Sequence, residues 1–207
     1  SLPNLMTLNL SASEMNNLEF VRNLPNLLEL HLGNVGTASL DVLTNLSSLT
    51  TLTIEEAENI NNDNWPSLPS LEKLTISGIK QDNINFVSTM PRLTSFRIER
   101  SPDIKDISGL FLLPFLNEVV FYYQSDYLDN KPYCWQVDYL KNGAFRSWRN
   151  FQLYVDYGCN EEDENKDFDG DGRTNRKELD EGTDPTSNNT SDYKALEVIG
   201  EFSPVYE

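Results

Sequence analysis

The stretch Asp167-Phe168-Asp169-Gly170-Asp171-Gly172-Arg173-Thr174-Asn175-Arg176-Lys177-Glu178 carries the most specific chemistry in the chain. It fits the pattern D-x-[DN]-x-[DN]-G-x5-E without a mismatch. Such a loop suits a hard cation that takes six to eight oxygens at about 2.3–2.6 Å, calcium rather than magnesium. In this reading Asp167, Asp169 and Asp171 offer carboxylates from positions 1, 3 and 5. Gly172 allows the sharp turn at position 6, and the carbonyl of Arg173 serves at 7. Asn175 at 9 binds directly or through water, and Glu178 at 12 is the bidentate ligand. Like charges this close repel, so the loop is uncomfortable without a cation. The bland alternative is a solvated acidic linker.

The flanks do not look like an EF-hand pair. Residues 157–166 (YGCNEEDENK) are a poor amphipathic entering helix, and only one loop is complete. Asp163-x-Asn165-x-Asp167 is a half-match, with Phe168 where the glycine should be, and is not read as a second site. The run Asp167–Pro185 instead resembles the bacterial thrombospondin type 3 calcium repeat, through D-x-D-G-D-G, T-N-x-x-E-L and the closing G-T-D-P. That resemblance implies a structural calcium ion in a stalk or spacer of an exported protein. It also makes Asp184 a secondary candidate, for packing or for a neighbouring ion. A dockerin needs two such segments. A structural ion in an exported stalk implies millimolar calcium and an affinity of about 10⁻⁴–10⁻³ M.

The loop must be carried by something, and the preceding sequence is periodic. The motif L-x-x-L-x-x-L-x-L recurs with its second leucine at Leu5, Leu27, Leu49, Leu71 and Leu93, then Leu116. Its closing apolar pairs are Leu8/Leu10, Leu30/Leu32, Leu52/Ile54, Leu74/Ile76, Phe96/Ile98 and Val119/Phe121. The alternating pair predicts a short strand with one buried face. The preceding apolar residues spaced by three, such as Leu40/Leu43/Leu46, predict a turn or two of helix or 3₁₀-helix. One copy is irregular: Asn62 takes the first slot before Trp65 and Leu68, and Ile60 is expected to supply the missing apolar group. A lone unit has an apolar edge and nothing to cover it, so units must stack.

Over about Leu2–Phe121 the chain resembles the leucine-rich-repeat family, in the bacterial 22-residue class of internalins. The resemblance implies an α/β solenoid with a parallel sheet on its concave face, to which the residues that follow are expected to add an aromatic C-terminal cap and a small calcium-loop module. Domains are expected at 1–121 (repeats), 122–159 (cap with a seventh repeat-like strand), 160–185 (calcium loop) and 186–207 (polar linker and tail). The family binds partners on the concave face, which here would present Asn9, His31, Thr53, Thr75, Arg97 and Val120, with Tyr122 at the flank. The alternative is simply the solvated side of a sheet. The family's internal asparagine is replaced by Ser13, Val35, Ala57, Ile79 and Ser101. Other backbone groups or water are expected to satisfy those turns.

Residues 122–159 hold most of the aromatics. Phe145-Arg146-Ser147-Trp148-Arg149-Asn150-Phe151-Gln152-Leu153 reads as one more motif copy, sealing the end of the stack. Tyr122, Tyr123, Tyr127, Tyr133 and Trp135 are either part of that cap or a platform for a carbohydrate or peptide. Cys134 and Cys159 bracket the cap strand and are expected to pair, as cysteines of exported modules do; two buried free thiols are the alternative. A zinc site is not expected, with the one histidine far away at His31.

The formal charge of −17 is uneven. Residues 1–155 carry 17 acids and 11 bases, a net of −6, while residues 156–207 carry 16 and 5, a net of −11. That excludes a basic nucleic-acid footprint, and no apolar run approaches membrane-spanning length. Ser1 falls inside a repeat with no polar cap before it, so upstream sequence is expected. The tail from Tyr193, with Leu196, Val198, Ile199 and Phe202, is either a strand docking back or the start of another module. No nucleophile or base constellation is recognisable, so no enzyme is expected. The expected function is a monomeric exported or cell-surface protein that binds a protein or glycan, with a structural spacer or the non-catalytic part of a larger secreted enzyme as alternatives.

Overall fold

The six closing apolar pairs lie in strands β1 (Thr7–Leu10), β2 (Glu29–Leu32), β3 (Thr51–Ile54), β4 (Lys73–Ser77), β5 (Ser95–Glu99) and β6 (Glu118–Tyr122), and a seventh strand, β7 (Gln152–Val155), follows. The computed structural model describes residues 2–11, 15–36, 39–60, 65–122, 131–142, 152–155, 159–161 and 164–188. The strands form one parallel sheet in chain order. The register is the sequence period itself: Leu8, Leu30, Leu52, Leu74, Phe96, Val119 and Leu153 are successive partners. Every second residue faces inward, and Leu30, Leu52, Phe96 and Phe121 are fully buried. Burying such a side chain contributes about 1.5–3 kcal/mol, which no unit can collect alone.

The segments before the strands are 3₁₀-helices at Glu19–Asn23, Leu40–Asn45, Asn85–Thr89 and Ser108–Leu112. These one- to two-turn pieces suit side chains spaced by three. In the irregular unit Asn62 lies outside the described residues, while Ile60 is buried and Trp65 stacks flat on Phe86 at 4.1 Å. The turns without the family asparagine are satisfied largely from neighbouring backbone. Ala57 N–H donates to the Ser77 carbonyl (2.8 Å) and Gly78 N–H to that of Glu99 (2.9 Å). Ser101 supplies a side chain: its hydroxyl accepts from Ile79 N–H (3.0 Å) and donates to the Glu99 carbonyl (2.8 Å). Ser13 lies outside the described residues.

Two findings correct the sequence reading. The motif copy beginning at Phe145 set Phe151 opposite Val119, but Leu153 pairs with Val119 and Val155 with Phe121. The inward pair is therefore Leu153/Val155, two residues later. A slip of two leaves the inward face unchanged, so alternation could not reveal it. Phe145, Trp148 and Phe151 lie outside the described residues. Trp135 is no platform either. It is fully buried in an unexpected helix, α1 (Cys134–Asn142), edge-on to Phe111 of the last full repeat at 5.9 Å. Tyr133 is half-buried, and Tyr123 and Tyr127 lie outside the described residues.

Helix α1 is tied to the repeats by Gln136, itself buried, which accepts from Ile107 N–H (2.7 Å) and donates to Asp106 (2.8 Å). Cys134 is joined to Cys159, across 25 residues of chain. Beside the bridge, Cys134 N–H donates to the Asn160 carbonyl and Asn160 N–H to that of Pro132, both at 2.8 Å. Gly109 marks a close backbone approach between units: a Cβ there would sit 2.7 Å from the Ile84 carbonyl oxygen. Gly109→Ala is expected to cost about 1–3 kcal/mol through overpacking, read as a lower urea midpoint at unchanged m-value. Removing the bridge by Cys134→Ser with Cys159→Ser is expected to cost about 3 kcal/mol in the same assay.

Candidate metal centre and binding face

The acidic loop is built by its own aspartates. Asp167 accepts backbone N–H groups from Gly170 (2.7 Å), Asp171 (3.2 Å) and Gly172 (2.8 Å). Asp169 accepts from Asp171 N–H and Asp171 from Arg173 N–H. Gly170 and Gly172 have φ of 78° and 95°. A Cβ at either would touch nothing within 4 Å, so conformation alone demands glycine there. The loop runs into α2 (Asn175–Glu181), capped by Thr174, whose hydroxyl accepts from Lys177 N–H. Gly182 ends the helix in the left-handed region. Asn175 N–H closes the loop onto the Lys166 carbonyl at 2.8 Å.

Carboxylate oxygens of Asp167, Asp169 and Asp171 lie within 4.8 Å of one another. Glu178 falls outside that trio but feels the charge of all three. It is buried, and its Oε2 has no hydrogen-bond partner; nor has the buried Oδ2 of Asp169. Burial first, and the charges of Asp169 and Asp171 next, push the Glu178 carboxyl up to about 8. Burial likewise raises Asp169. Asp167 moves the other way, because Gly172 N–H and its neighbours stabilise the carboxylate. Two buried carboxylate oxygens without partners, one on Asp169 and one on Glu178, beside two more carboxylates make a donor set of the kind a hard cation takes.

Asn175 and Arg173 occupy the loop differently. Asn175 is fully buried and its side-chain oxygen accepts from Phe168 N–H at 2.8 Å, bracing the loop from within. The Arg173 guanidinium reaches Glu181 at 3.4 Å, leaving its part in the loop to the backbone. Asp184 caps the following turn by accepting from Thr186 N–H and hydroxyl (2.9 and 2.7 Å).

The loop is docked onto the end of the stack, a contact that sequence reasoning missed. Phe168 packs on Trp135 with ring centres 5.2 Å apart. Arg176 forks onto Glu164 and reaches Asp138 of α1 at 3.0 Å. Those hydrogen bonds, Glu164 first, hold its guanidinium protonated well above the usual range. An aromatic residue at the second loop position was the available sign.

On the sheet face, register places Asn9, His31, Thr53, Thr75, Arg97 and Val120 in one outward column and adds Tyr154, which the sequence reading did not include. Tyr122 stands in the neighbouring column beside Glu99.

Comparison with protein-family models returns no match, and comparison with curated proteins returns none. Among solved structures, the chain is similar to internalin C2 of Listeria monocytogenes, at 19% identity and a TM-score of 0.39, over 74% of this chain and 71% of that one. It is also similar to the internalin inlF of the same organism, at 18% identity and a TM-score of 0.43, over 76% of this chain and 56% of that one. The α/β repeat architecture rests on strand order and register, independently of these likenesses.

The raised carboxyl of Glu178 gives a pH signature. Between its ordinary value of 4.5 and about 8, the folded ion-free chain binds more protons than the unfolded chain. Stability must then fall as pH rises through that window and level off above it. In chelator, the urea midpoint is expected to be lower at pH 8 than at pH 5, and Glu178→Gln to flatten the slope. A midpoint that rises across the window would contradict this account.

Proposed function

We propose that this chain is the recognition part of an exported or cell-surface protein, a monomer whose sheet face binds a protein or glycan and whose acidic loop holds a structural calcium ion. The observation that carries the reading is the pair of buried, unsatisfied carboxylate oxygens on Asp169 and Glu178. Calcium would neutralise them. Asp167, Asp169, Asp171 and Glu178 would hold it through side chains and Arg173 through its carbonyl, with Asn175 as the internal brace. The one-sided arrangement, a loop followed by α2, is consistent with a thrombospondin type 3-like repeat. The Cys134–Cys159 bridge supports an oxidising compartment. Among the described residues, no helix is long and apolar enough to cross a membrane. Binding rather than catalysis is supported by the position of His31, set between Asn9 and Thr53 on an open sheet.

A second reading, a spacer without a partner on its face, is favoured by the rigid seat of the loop on α1. In both readings the ion is part of the fold.

The test is thermal unfolding in calcium and in excess chelator. Calcium at about 100 times its dissociation constant would add about 2.7 kcal/mol, or about 5–10 °C in Tm for a chain of this size. Glu178→Gln should abolish most of that rise. An unchanged Tm would remove the structural ion, and with it the main support for an extracellular setting.

A further inference from the structure

The sheet face changes character along the stack. From β1 to β4 its middle column is small and polar apart from His31. From β5 to β7 it becomes a depression of about 510 Å³. Val120, 9% exposed, is part of its lining. Tyr122 and Tyr154 flank it at 38% and 53% exposed, and Arg97, Glu118 and Gln152 complete the rim. A volume of this order takes a large side chain or a small ligand.

The charges on the rim are not equivalent. Arg97 donates to Glu99 at 3.2 Å, so that cation has its counter-ion. Glu118 accepts from the neutral hydroxyl of Ser95 at 2.6 Å, a bond that leaves its negative charge in place. Two exposed tyrosines beside a carboxylate that no cation pairs with among the described residues are suited to a cation, which the ring quadrupole and the carboxylate attract together. The chain's formal charge of −17 draws cations in and turns anionic ligands away.

We propose that the depression between Tyr122 and Tyr154 is a subsite for an arginine or lysine side chain of a basic protein segment, with Glu118 as its counter-ion. This rests on the reading of the sheet face as the binding surface. It narrows that reading to strands β5–β7 of the face and to one partner chemistry.

The test uses the whole chain in saturating calcium, titrated with the peptide Ac-(Arg-Gly)₄-NH₂ and, separately, with the neutral sugar cellohexaose. Binding is mapped by NMR chemical shifts. The proposal expects peptide-induced shifts centred on β5–β7. Tyr122→Ala with Tyr154→Ala should weaken that binding about ten-fold or more, while Tyr122→Phe with Tyr154→Phe retains it. Shifts confined to β1–β4 would overturn the subsite and leave the face as binding surface. Shifts confined to the acidic loop would overturn both. Cellohexaose binding at the tyrosines without peptide binding would overturn the basic partner in favour of a neutral glycan.

Discussion

No repeat of this chain can hide its own leucines. The apolar edge of each 22-residue unit is covered only by the next, and the register between units is the sequence period itself. Everything else follows from that dependence. The strands are parallel because each unit repeats the last in the same direction. Tight 3₁₀ turns suffice on the opposite side because only three-spaced leucines must point inward. Gly109 is needed where one such turn meets the backbone of its neighbour. The stack must also be closed where the period ends.

Helix α1 makes that closure by bringing Trp135 against Phe111, with Tyr139 beside it at 4.4 Å from Phe111. It also receives the acidic loop, through Phe168 on Trp135 and Arg176 on Asp138. One short helix thus contacts both the last full repeat and the candidate ion site. The loop is no free appendage: its second residue rests on the side chain that seals the core.

The repeats were legible because their information is local and redundant. Leu52 and Ile54 announce a strand, and five neighbours say the same. The acidic loop was legible because its oxygens sit at fixed spacings along a dozen residues. Helix α1 was not, for physical reasons. Cys134–Asn142 alternates Trp135, Val137 and Tyr139 in a strand-like way, yet as a helix it also buries Cys134, Gln136 and Leu140, so burial on more than one side leaves no amphipathic pattern to read. The two-residue shift in β7 was invisible because alternation is blind to even slips. Tyr154 was missed as a face residue for the same reason, since its column follows from that pairing. The role of Asn175 as a brace was equally hidden, because spacing places an oxygen near an ion without saying what else that oxygen meets.

The pairing of each strand only with its immediate neighbours also bears on mechanics. Hydrogen bonds of the sheet run along the stack rather than across it, so tension applied between the two ends would open them in peeling mode, unit by unit. The weakest interface would yield first, and the others would keep their own neighbours. At the C-terminal end the load path differs. The covalent link from Cys134 to Cys159 bypasses the segment that contains β7, so force entering through the acidic loop reaches α1 without first stripping the last strand. A molecule built this way would lengthen in steps under load while the segment between the two cysteines, β7 included, stayed out of the covalent load path.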